Sequence, residues 1–317
     1  MAPASADASF RRYFRVELAQ AWPEAGAAPS LIAMDAPPPQ EDCRPYVHVA
    51  RLLAQAGVNV PRVIAADIAR GYLLLTDLGS RTYASVLDAD NASRLYGDAL
   101  DALVLMQRAS REDELPPYDD ALLRRELMLF PDWFVARHLG RTLTPAQRDT
   151  LGTAFERILA GTLAQPRVFV HRDYHSRNLM LATPNPGVLD FQDAVYGPIT
   201  YDLVSLLRDA YVEWDEERQL DWAIRYWERA RGAHLPVGAD FATFWRDFEW
   251  MGVQRQLKVL GIFARLKHRD GKAGYVDDMP PVMRYLRRAC ARYRELDALS
   301  ALLEALDQGA GGVAGPG

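Results

Sequence analysis

FVHRDYHSRNLML (residues 169–181), followed by GVLDFQDA (residues 187–194), is the part of the sequence that decides the fold. Two short apolar runs, NLMLA and GVLDF, are separated by TPNPG, a cluster of Pro, Asn and Gly that is typical of a hairpin turn. Folding the second run back onto the first brings Asn178 and Asp190 to the same open end of the hairpin. The pattern therefore predicts a β-hairpin that carries an amide and a carboxylate side by side.

A second carboxylate precedes this pair. Asp173 lies five residues before Asn178, in a loop that leaves the apolar run VFVH. Carboxylate and amide oxygens suit Mg²⁺, which prefers one or two carboxylates together with phosphate oxygens. Phosphoryl transfer uses such a set, because it depends on positioning, on charge neutralisation and on an aspartate that takes the hydroxyl proton. The stretch thus favours phosphoryl-transfer chemistry.

The composition narrows the class of protein. The chain has 317 residues, of which 49% are hydrophobic and 25% charged, which is enough for two lobes. A formal net charge of -5 gives no sign of the basic surface that binds nucleic acid. Cys43 and Cys290 are far apart and lack metal-ligand spacing, so we expect free thiols in a reducing compartment and no zinc. The first residues have no signal-peptide core, and no apolar run could span a bilayer. We therefore expect a cytoplasmic protein without nucleic-acid binding or membrane insertion.

The periodicity of the chain predicts an α+β fold. Strand-like runs lie at 11–18, at 30–36 and on both sides of a turn at Arg70-Gly71. The segment 37–58 begins with a proline stop and continues as one helix that ends at Gly57. Later helices are predicted at 91–109, 119–139, 145–164, 200–212, 216–231, 241–268 and 279–306. We accordingly predict a small N-terminal β-sheet lobe at 1–80 with one helix, a large mostly helical lobe at 81–306, a hinge at 76–82 and a disordered tail at 307–317.

The spacing His171-Arg172-Asp173 to Asn178, followed by Asp190-Phe191, resembles the protein-kinase-like superfamily, whose motifs are H-R-D-x-x-x-x-N and D-F-G. HRDYHSRN, DFQDA and the later Tyr201-Asp202-Leu203 are more similar to the aminoglycoside and choline phosphotransferase branch. This resemblance implies a bilobal protein-kinase-like fold, ATP and Mg²⁺ as cofactors, and a structural role for Asp202 in bracing the catalytic loop.

A narrower resemblance covers both lobes. ADASFRRYFRV, MDAPPPQEDCRP, LLLTDLG and QRQLKVLGIFARL together resemble the bacterial anomeric sugar kinases of peptidoglycan recycling. The resemblance implies ATP-dependent phosphorylation of the C1 hydroxyl of N-acetylmuramate and N-acetylglucosamine. We also expect a monomer. Two alternatives stay open: a kinase for another small acceptor of the aminoglycoside, choline or homoserine type, and a nucleotide-binding pseudokinase module without turnover.

The resemblance also implies roles for single residues. Asp173 would be the general base or would orient the hydroxyl, Asn178 and Asp190 would bind Mg²⁺, and His171 would hold the catalytic loop by hydrogen bonds. The backbone around Asp77 and Leu78 would meet the adenine edge. Three residues are expected to cover the phosphates: Ser9, Arg11 and Arg12.

Two features depart from the kinase pattern. SADASFRRYFRV contains no glycine, and no lysine occurs before Lys258, so the lysine that usually meets the α- and β-phosphates is missing. A dry cleft needs a cation there. Arg11, Arg12 or Arg15 is the nearest substitute, and the acidic QED segment that follows is expected to face one of them.

Four residues are candidates for contact with the substrate: His175, Asp193, Arg255 and Lys258. Arg255 and Lys258 fall on one stripe of the predicted helix 241–268, where a cationic stripe could meet a carboxylate. Each candidate has a simpler alternative. For His175 it is a loop histidine that satisfies backbone groups, for Asp193 a solvated acid, and for the stripe a solvated helix face.

Overall fold

The computed structural model describes residues 2–6 (backbone only), 10–20, 22 and 29–308. The fold is α+β, with an N-terminal antiparallel sheet and a mostly helical remainder, as predicted. The chain forms two compact units. The first contains Met1–Pro116, Phe169–Val195 and Gly232–Leu235, and the second contains Pro117–Val168, Tyr196–Arg231 and Pro236–Gly317. The hairpin region thus belongs to the same unit as the sheet. The predicted lobes at 1–80 and 81–306 divide the chain at a different place. The assignment of nucleotide binding to the first lobe and of catalysis and substrate binding to the second stays a prediction.

The N-terminal sheet has five strands in the order β1-β2-β3-β5-β4, and every neighbouring pair is antiparallel. Its strands are β1 (Ala2–Ala6), β2 (Arg12–Glu17), β3 (Ser30–Asp35), β4 (Val63–Asp67) and β5 (Tyr72–Thr76). Leu31 and Met34 of β3 and Leu73 and Leu75 of β5 are buried. Four strands match the sequence prediction, whereas β1 was missed because APASA has no strand composition.

Helix α1 (Arg44–Gln55) is the one predicted between the third and fourth strands. It begins with Pro45 in its first turn and buries Tyr46, Val49, Leu52 and Leu53. The remaining helices of the first unit are the single turn α2 (Tyr83–Val86) and α3 (Ala92–Arg108). Thr82 caps α2 by accepting a hydrogen bond from the Ser85 N–H.

The helical remainder follows the predicted order. Its helices are α4 (Asp120–Leu127), a π-helix (Phe130–His138), α5 (Pro145–Leu163), α6 (Tyr201–Leu207), α7 (Glu216–Gly232), α8 (Phe241–His268), a 3₁₀ turn (Ala273–Val276), α9 (Met279–Arg292), a second 3₁₀ turn (Arg294–Leu296) and α10 (Asp297–Gln308). Along the described part of the chain, none of these helices is both long and apolar enough to cross a membrane.

Three predicted helices differ in detail. The single helix expected at 119–139 is divided into α4 and the π-helix, with Pro131 at the start of the π-helix, since proline cannot donate the helical hydrogen bond. The helix expected at 279–306 breaks into α9 and α10, and the one expected at 200–212 ends at Leu207. Asp307 and Gln308, predicted as the start of a disordered tail, are the last residues of α10.

The predicted hairpin is present. Strands β6 (Arg167–Val170) and β9 (Val195–Pro198) flank it, and its own strands are β7 (Leu179–Met180) and β8 (Gly187–Val188), which pair antiparallel. Gly187 is closely packed, because a Cβ there would lie 2.8 Å from Leu78 Cδ1, so a larger residue would require the leucine side chain to shift.

The turn of the hairpin is anchored by two amides. Asn185 Nδ2 donates to Tyr83 Oη at 2.8 Å and to Asp98 Oδ2 at 2.6 Å. Asn59 Nδ2 donates to the Pro184 carbonyl at 2.5 Å. These bonds fix the turn, and with it the position of the two strand ends that carry polar side chains.

Candidate active site

His171 ties the start of the loop to the returning strand of the hairpin. Its Nε2 donates to the Leu189 carbonyl at 2.9 Å, while its Nδ1 accepts from the Asp173 N–H at 3.2 Å. The side chain is fully buried, and burial lowers its pKa to about 4. A neutral imidazole with the proton on Nε2 satisfies both bonds. The ring therefore positions Asp173 without exchanging protons, which is the role expected from the sequence.

The amide of Asn178 lies between the two aspartates. Its Nδ2 donates to the Asp173 carbonyl at 3.0 Å and approaches Asp190 Oδ2 at 3.4 Å. The backbone joins the same elements, because the Leu189 N–H donates to the Asn178 carbonyl at 2.9 Å. The three residues predicted to act together are thus brought together. Nδ2 is thus engaged with protein oxygens, and an amide has its oxygen as a separate acceptor.

Gln192 was missed in the sequence, although it occupies the position of the glycine in D-F-G. It is buried, and its Nε2 donates to Asp190 Oδ1 at 2.7 Å. A hydrogen bond of this kind restricts the rotation of the Asp190 carboxylate, whose role as a metal ligand stays a prediction. The departure of DFQDA from D-F-G was the signal that could have identified it.

Two residues at the site have left-handed backbone conformations without being glycine. Arg172 has a φ of 77° and Asp190 a φ of 63°. Such conformations cost free energy and persist only where the surroundings enforce them, which is common at functional sites. Arg172 immediately precedes Asp173, and Asp190 is itself one of the three residues of the set.

The residue after Asp190 anchors the strand end in the core. Phe191 is completely buried, and its ring lies 4.8 Å from that of Tyr46 in α1, centroid to centroid. This contact connects the position of Asp190 to the helix that follows β3.

Arg11 is one of the three arginines predicted to replace the missing lysine, and it contacts the QED segment. Its Nε forms an ion pair with Glu41 Oε2 at 3.0 Å, and the two side chains are only 12% and 11% exposed. Burial alone would lower the pKa of Arg11, but the nearby Tyr13, Glu41, Asp193 and Asp190 raise it above the ordinary arginine value. The expected contact between the acidic QED segment and one of the arginines is confirmed.

The other arginines of β2 are engaged elsewhere. Arg12 is paired with Asp35 and its side chain is 64% exposed. Arg15 donates to Asp77 with Nε at 2.5 Å and Nη2 at 3.1 Å. Whether Arg12 meets phosphate stays a prediction, and Ser9 lies outside the described residues.

The segment expected at the adenine edge is rigidly held through Asp77. Burial on its own would raise the pKa of Asp77, but hydrogen bonds from Arg15, Ser30 and the Gly79 N–H hold it below the ordinary value. The carboxylate is therefore fully occupied within the protein. In the described part of the chain, the backbone N–H and C=O of the adjacent Leu78 form no hydrogen bond, and their contact with the adenine edge stays a prediction.

Comparison with known proteins identifies the family. The profile of the phosphotransferase enzyme family, APH, matches residues 1–248. The chain belongs to this phosphotransferase family. An N-acetylmuramate/N-acetylglucosamine kinase of Pseudomonas aeruginosa is 54% identical over 308 residues, with 97% of this chain and 89% of that protein covered. One of the same name from Pseudomonas putida is 52% identical over 307 residues, with 97% and 88% covered.

Among solved structures, a choline/ethanolamine kinase family protein from Mesorhizobium loti is similar in fold. Its TM-score is 0.56 at 15% identity, and 87% of each chain is covered. The protein-kinase-like fold expected from the motifs is therefore confirmed for this phosphotransferase.

Two of the four substrate candidates of the phosphotransferase lie in the first unit. Asp193 is exposed, and its carbonyl accepts from Arg172 Nη1 at 3.4 Å. His175 is half-buried, and its N–H donates to the Asp173 carbonyl at 3.0 Å within the loop. Both are neighbours of the Asp173, Asn178 and Asp190 set, and their contact with substrate stays a prediction.

The other two candidates lie on α8 in the second unit, and the solvated-face alternative for them is wrong. Arg255 and Lys258 are each only 5% exposed. Lys258 Nζ lies 3.0 Å from Glu126 Oε1 and donates to Tyr201 Oη at 2.8 Å. The mostly apolar face that surrounds them on α8 is packed, which the sequence pattern alone did not reveal. Asp202, expected to be structural, is completely buried in α6.

Proposed function

We propose that this phosphotransferase uses ATP and Mg²⁺ to phosphorylate the C1 hydroxyl of N-acetylmuramate and N-acetylglucosamine, as a cytoplasmic monomer in cell-wall sugar recycling. The observation that carries the chemistry is the Asn178 amide held between the Asp173 carbonyl and the Asp190 carboxylate. The choice of acceptor rests on relatives at 51–54% identity that bear the name N-acetylmuramate/N-acetylglucosamine kinase.

The residues present fit a magnesium ion. Asp190 supplies a carboxylate whose orientation is fixed by Gln192, and Asn178 supplies an amide oxygen because its nitrogen is engaged with Asp173. No group of three or more His, Cys, Asp or Glu residues suited to a metal occurs among the described residues. A magnesium ion bound by one carboxylate, one amide and phosphate oxygens agrees with the two donors present and with the absence of a larger cluster among the described residues. The bound ion would neutralise charge on the phosphates.

Asp173 is assigned the role of the base that orients the acceptor hydroxyl. Its backbone is fixed on both sides, by the imidazole of His171 at its N–H and by the amide of Asn178 at its carbonyl. A base held in this way orients the hydroxyl for in-line attack and takes its proton late, because the transition state of phosphoryl transfer is loose. Arg11, held in place by its ion pair with Glu41, is assigned the role of neutralising the negative charge of the nucleotide phosphates.

The nucleotide would sit against Leu78, whose backbone groups can pair with the adenine edge. Asp77 would act through its side chain, which holds this segment in place, and not by touching the base. The proposed roles of Arg12, His175 and Asp193 follow from their position beside this set.

An acceptor panel tests the proposal. ADP release is measured with N-acetylmuramate, N-acetylglucosamine, an aminoglycoside, choline and homoserine, and the position of the phosphate is read by ³¹P NMR. We expect turnover with the two N-acetylated sugars and a C1 phosphate. Preference for an aminoglycoside, choline or homoserine would overturn the acceptor, and tight ATP binding without turnover on any acceptor would favour a pseudokinase.

The base is tested with Asp173→Asn, which keeps the size of the side chain and removes the proton acceptor. We expect kcat to fall by about three orders of magnitude, which corresponds to loss of a positioned base and its orientation. ATP binding measured by calorimetry should persist. Turnover that survives this change undiminished would remove Asp173 from the mechanism.

A further inference from the structure

A cavity of about 640 Å³ lies within the second unit, between the second half of α5, the first half of α8 and the second 3₁₀ turn. Its volume is in the range of small-molecule binding sites. Every residue that lines it belongs to the second unit, and none of them has a role in the proposed mechanism. The cavity is therefore a candidate for a separate binding site.

The walls of this cavity are joined by contacts of two arginines. Arg157 Nη1 on α5 donates to the Glu295 carbonyl of the 3₁₀ turn at 2.7 Å, and Arg246 Nη2 on α8 donates to Glu295 Oε1 at 3.0 Å. The Arg246 guanidinium also lies over the Trp250 ring, 4.9 Å from its centroid. These contacts hold together the three elements that form the cavity, so that little ordering is left for a ligand to impose.

The cationic side chains that line the cavity exceed the carboxylates that pair with them. Arg246 is paired with Glu295. Arg157 is bonded to a backbone carbonyl alone, and neither Arg157 nor Arg294 forms an ion pair in the described part of the chain. Two guanidiniums with N–H groups to spare thus line one cavity. Such a pair favours an anion with several acceptor oxygens, and a phosphate group is the best match.

Asp247 adds an acceptor to the same cavity. It is half-buried, and burial raises the pKa of its carboxyl while the adjacent Arg246 opposes this effect. Its backbone carbonyl accepts from Gln165 and Thr200, whereas its carboxylate has no hydrogen-bond donor or ion-pair partner among the residues that the structure describes. A carboxylate that is partly withdrawn from water without a donor gains free energy when a ligand supplies hydroxyl groups.

We propose that this cavity binds a small sugar phosphate, with the phosphate held by Arg157 and Arg294 and the sugar hydroxyls donating to Asp247. The inference goes beyond the proposed function and does not depend on it. Phosphate oxygens accept from the guanidiniums, and hydroxyls supply the donors that the carboxylate lacks. Trp250 and Ala160 offer apolar surface to the C–H groups of the sugar ring. Inorganic phosphate lacks the ring, and a neutral sugar lacks the anion.

Calorimetric titration of the full chain with glucose 1-phosphate tests the proposal, because this sugar is already phosphorylated at C1 and cannot accept a phosphate there. Glucose and inorganic phosphate serve as its two halves. We expect glucose 1-phosphate to bind at least about 10-fold more tightly than either half, since one molecule uses both sets of contacts. An equal affinity for inorganic phosphate would show a site for anions alone, and that result or the absence of binding would overturn the proposal.

A variant that fills the cavity locates the binding. Ala160 is an exposed residue of the cavity wall, so Ala160→Phe adds bulk there without disturbing the core, and it should abolish the binding of glucose 1-phosphate. The control is Thr153→Phe, at an exposed position of α5 outside the lining, which should bind as the wild type does. Undiminished binding in Ala160→Phe would overturn the proposal.

Two further variants separate the contacts. Arg157→Gln should weaken glucose 1-phosphate and inorganic phosphate alike, each by about 10-fold, as for loss of a charge-assisted hydrogen bond. Asp247→Ala should weaken glucose 1-phosphate by about 5-fold and leave inorganic phosphate bound as tightly or more tightly, because a repelling charge is removed. Arg125→Gln, at an exposed arginine of α4, is the control. Equal losses for both ligands in Asp247→Ala would contradict the hydroxyl contact.

Steady-state kinetics distinguish this cavity from the acceptor site. Ala160→Phe should keep the wild-type kcat and KM for ATP and for the acceptor sugar. A rise in the KM for the acceptor that parallels the loss of glucose 1-phosphate binding would make the cavity part of the acceptor site, and the proposal would be wrong. If the wild-type protein phosphorylates neither N-acetylated sugar, the proposed function fails, and the calorimetric comparison of the variants still decides the present inference.

Discussion

Arg11 Nε and Glu41 Oε2 lie 3.0 Å apart in a pair that is almost entirely shielded from water. In kinases with a lysine on the third strand, a Lys–Glu ion pair holds the cation that meets the phosphates. This chain has no lysine before Lys258, and the pair formed by Arg11, which immediately precedes β2, and Glu41, just before α1, has the same chemistry. The Phe10 N–H also donates to Glu41, at 3.2 Å, which fixes the carboxylate from a second side.

Removal of Arg11 should therefore weaken use of the nucleotide. In Arg11→Gln we expect kcat/KM for ATP to fall by about 100-fold, since a cation that stabilises phosphate charge in a dry site contributes roughly 3 kcal/mol. Steady-state kinetics with ATP varied at saturating sugar measures this effect. Glu41→Gln should show a smaller loss in the same direction, because Arg11 stays charged but loses its anchor.

The control for this prediction is Arg44→Gln, because Arg44 is 78% exposed and pairs only with the adjacent Asp42 in the described residues. Its kinetics should match the wild type. If Arg12→Gln or Arg15→Gln lowered kcat/KM for ATP while Arg11→Gln did not, the phosphate cation would have to be reassigned.

Acid should destabilise the protein through His171. Its pKa is about 4 in the folded protein, below the ordinary value of 6.5, so the unfolded chain binds a proton that the folded protein does not. The free energy of unfolding is unaffected by this group above about pH 6.5 and is reduced by about 3 kcal/mol as the pH falls from 6.5 to 4.

Urea unfolding of the wild type and of His171→Gln between pH 8 and pH 4 tests this, since Gln can still donate to the Leu189 carbonyl. The variant should have the flatter pH profile over the lower half of that range. His268→Gln, at an exposed histidine, controls for the removal of a histidine as such. Parallel profiles for the wild type and His171→Gln would show that His171 does not titrate as proposed.

Gln192 should affect the use of magnesium. Its bond to Asp190 Oδ1 sets the rotation of the proposed ligand, and loss of a group that orients a ligand typically costs 10- to 100-fold in metal affinity or activity, which we take as about 10-fold here. Gln192→Ala should therefore need a higher Mg²⁺ concentration for half-maximal activity. The exposed Gln55→Ala is the control, and an unchanged Mg²⁺ dependence in Gln192→Ala would mean that Asp190 is oriented without it.

The sequence predicted those parts of the site that lie close together along the chain. Asp173, Asn178 and Asp190 were found because the Pro, Asn and Gly cluster dictates a hairpin between them, and local turn chemistry is readable from one sequence. The left-handed backbone of Asp190 was not predictable, since nothing in its residue type requires that conformation.

Charges that are buried by distant contacts were harder to predict. Lys258 and Arg255 have the helical spacing of a surface stripe, and their burial depends on elements that follow or precede α8 by many residues, such as Glu126 and Tyr201. The helix expected at 119–139 likewise had the right periodicity, but periodicity does not distinguish an α-helix from an α-helix followed by a π-helix.

The buried pair of Lys258 and Glu126 should be a stability element of the second unit. Lys258→Met leaves the Glu126 carboxylate buried without its cation, so we expect the free energy of unfolding to fall by about 3–5 kcal/mol. The double variant Lys258→Met/Glu126→Gln removes both charges and keeps an acceptor for Tyr118 Oη, so it should recover more than half of that loss in urea unfolding. Arg124→Met serves as the control, because its pairs with Asp120 and Glu156 lie at the surface and should contribute little to the free energy of unfolding. A double variant that is no more stable than Lys258→Met would show that the two charges do not stabilise each other.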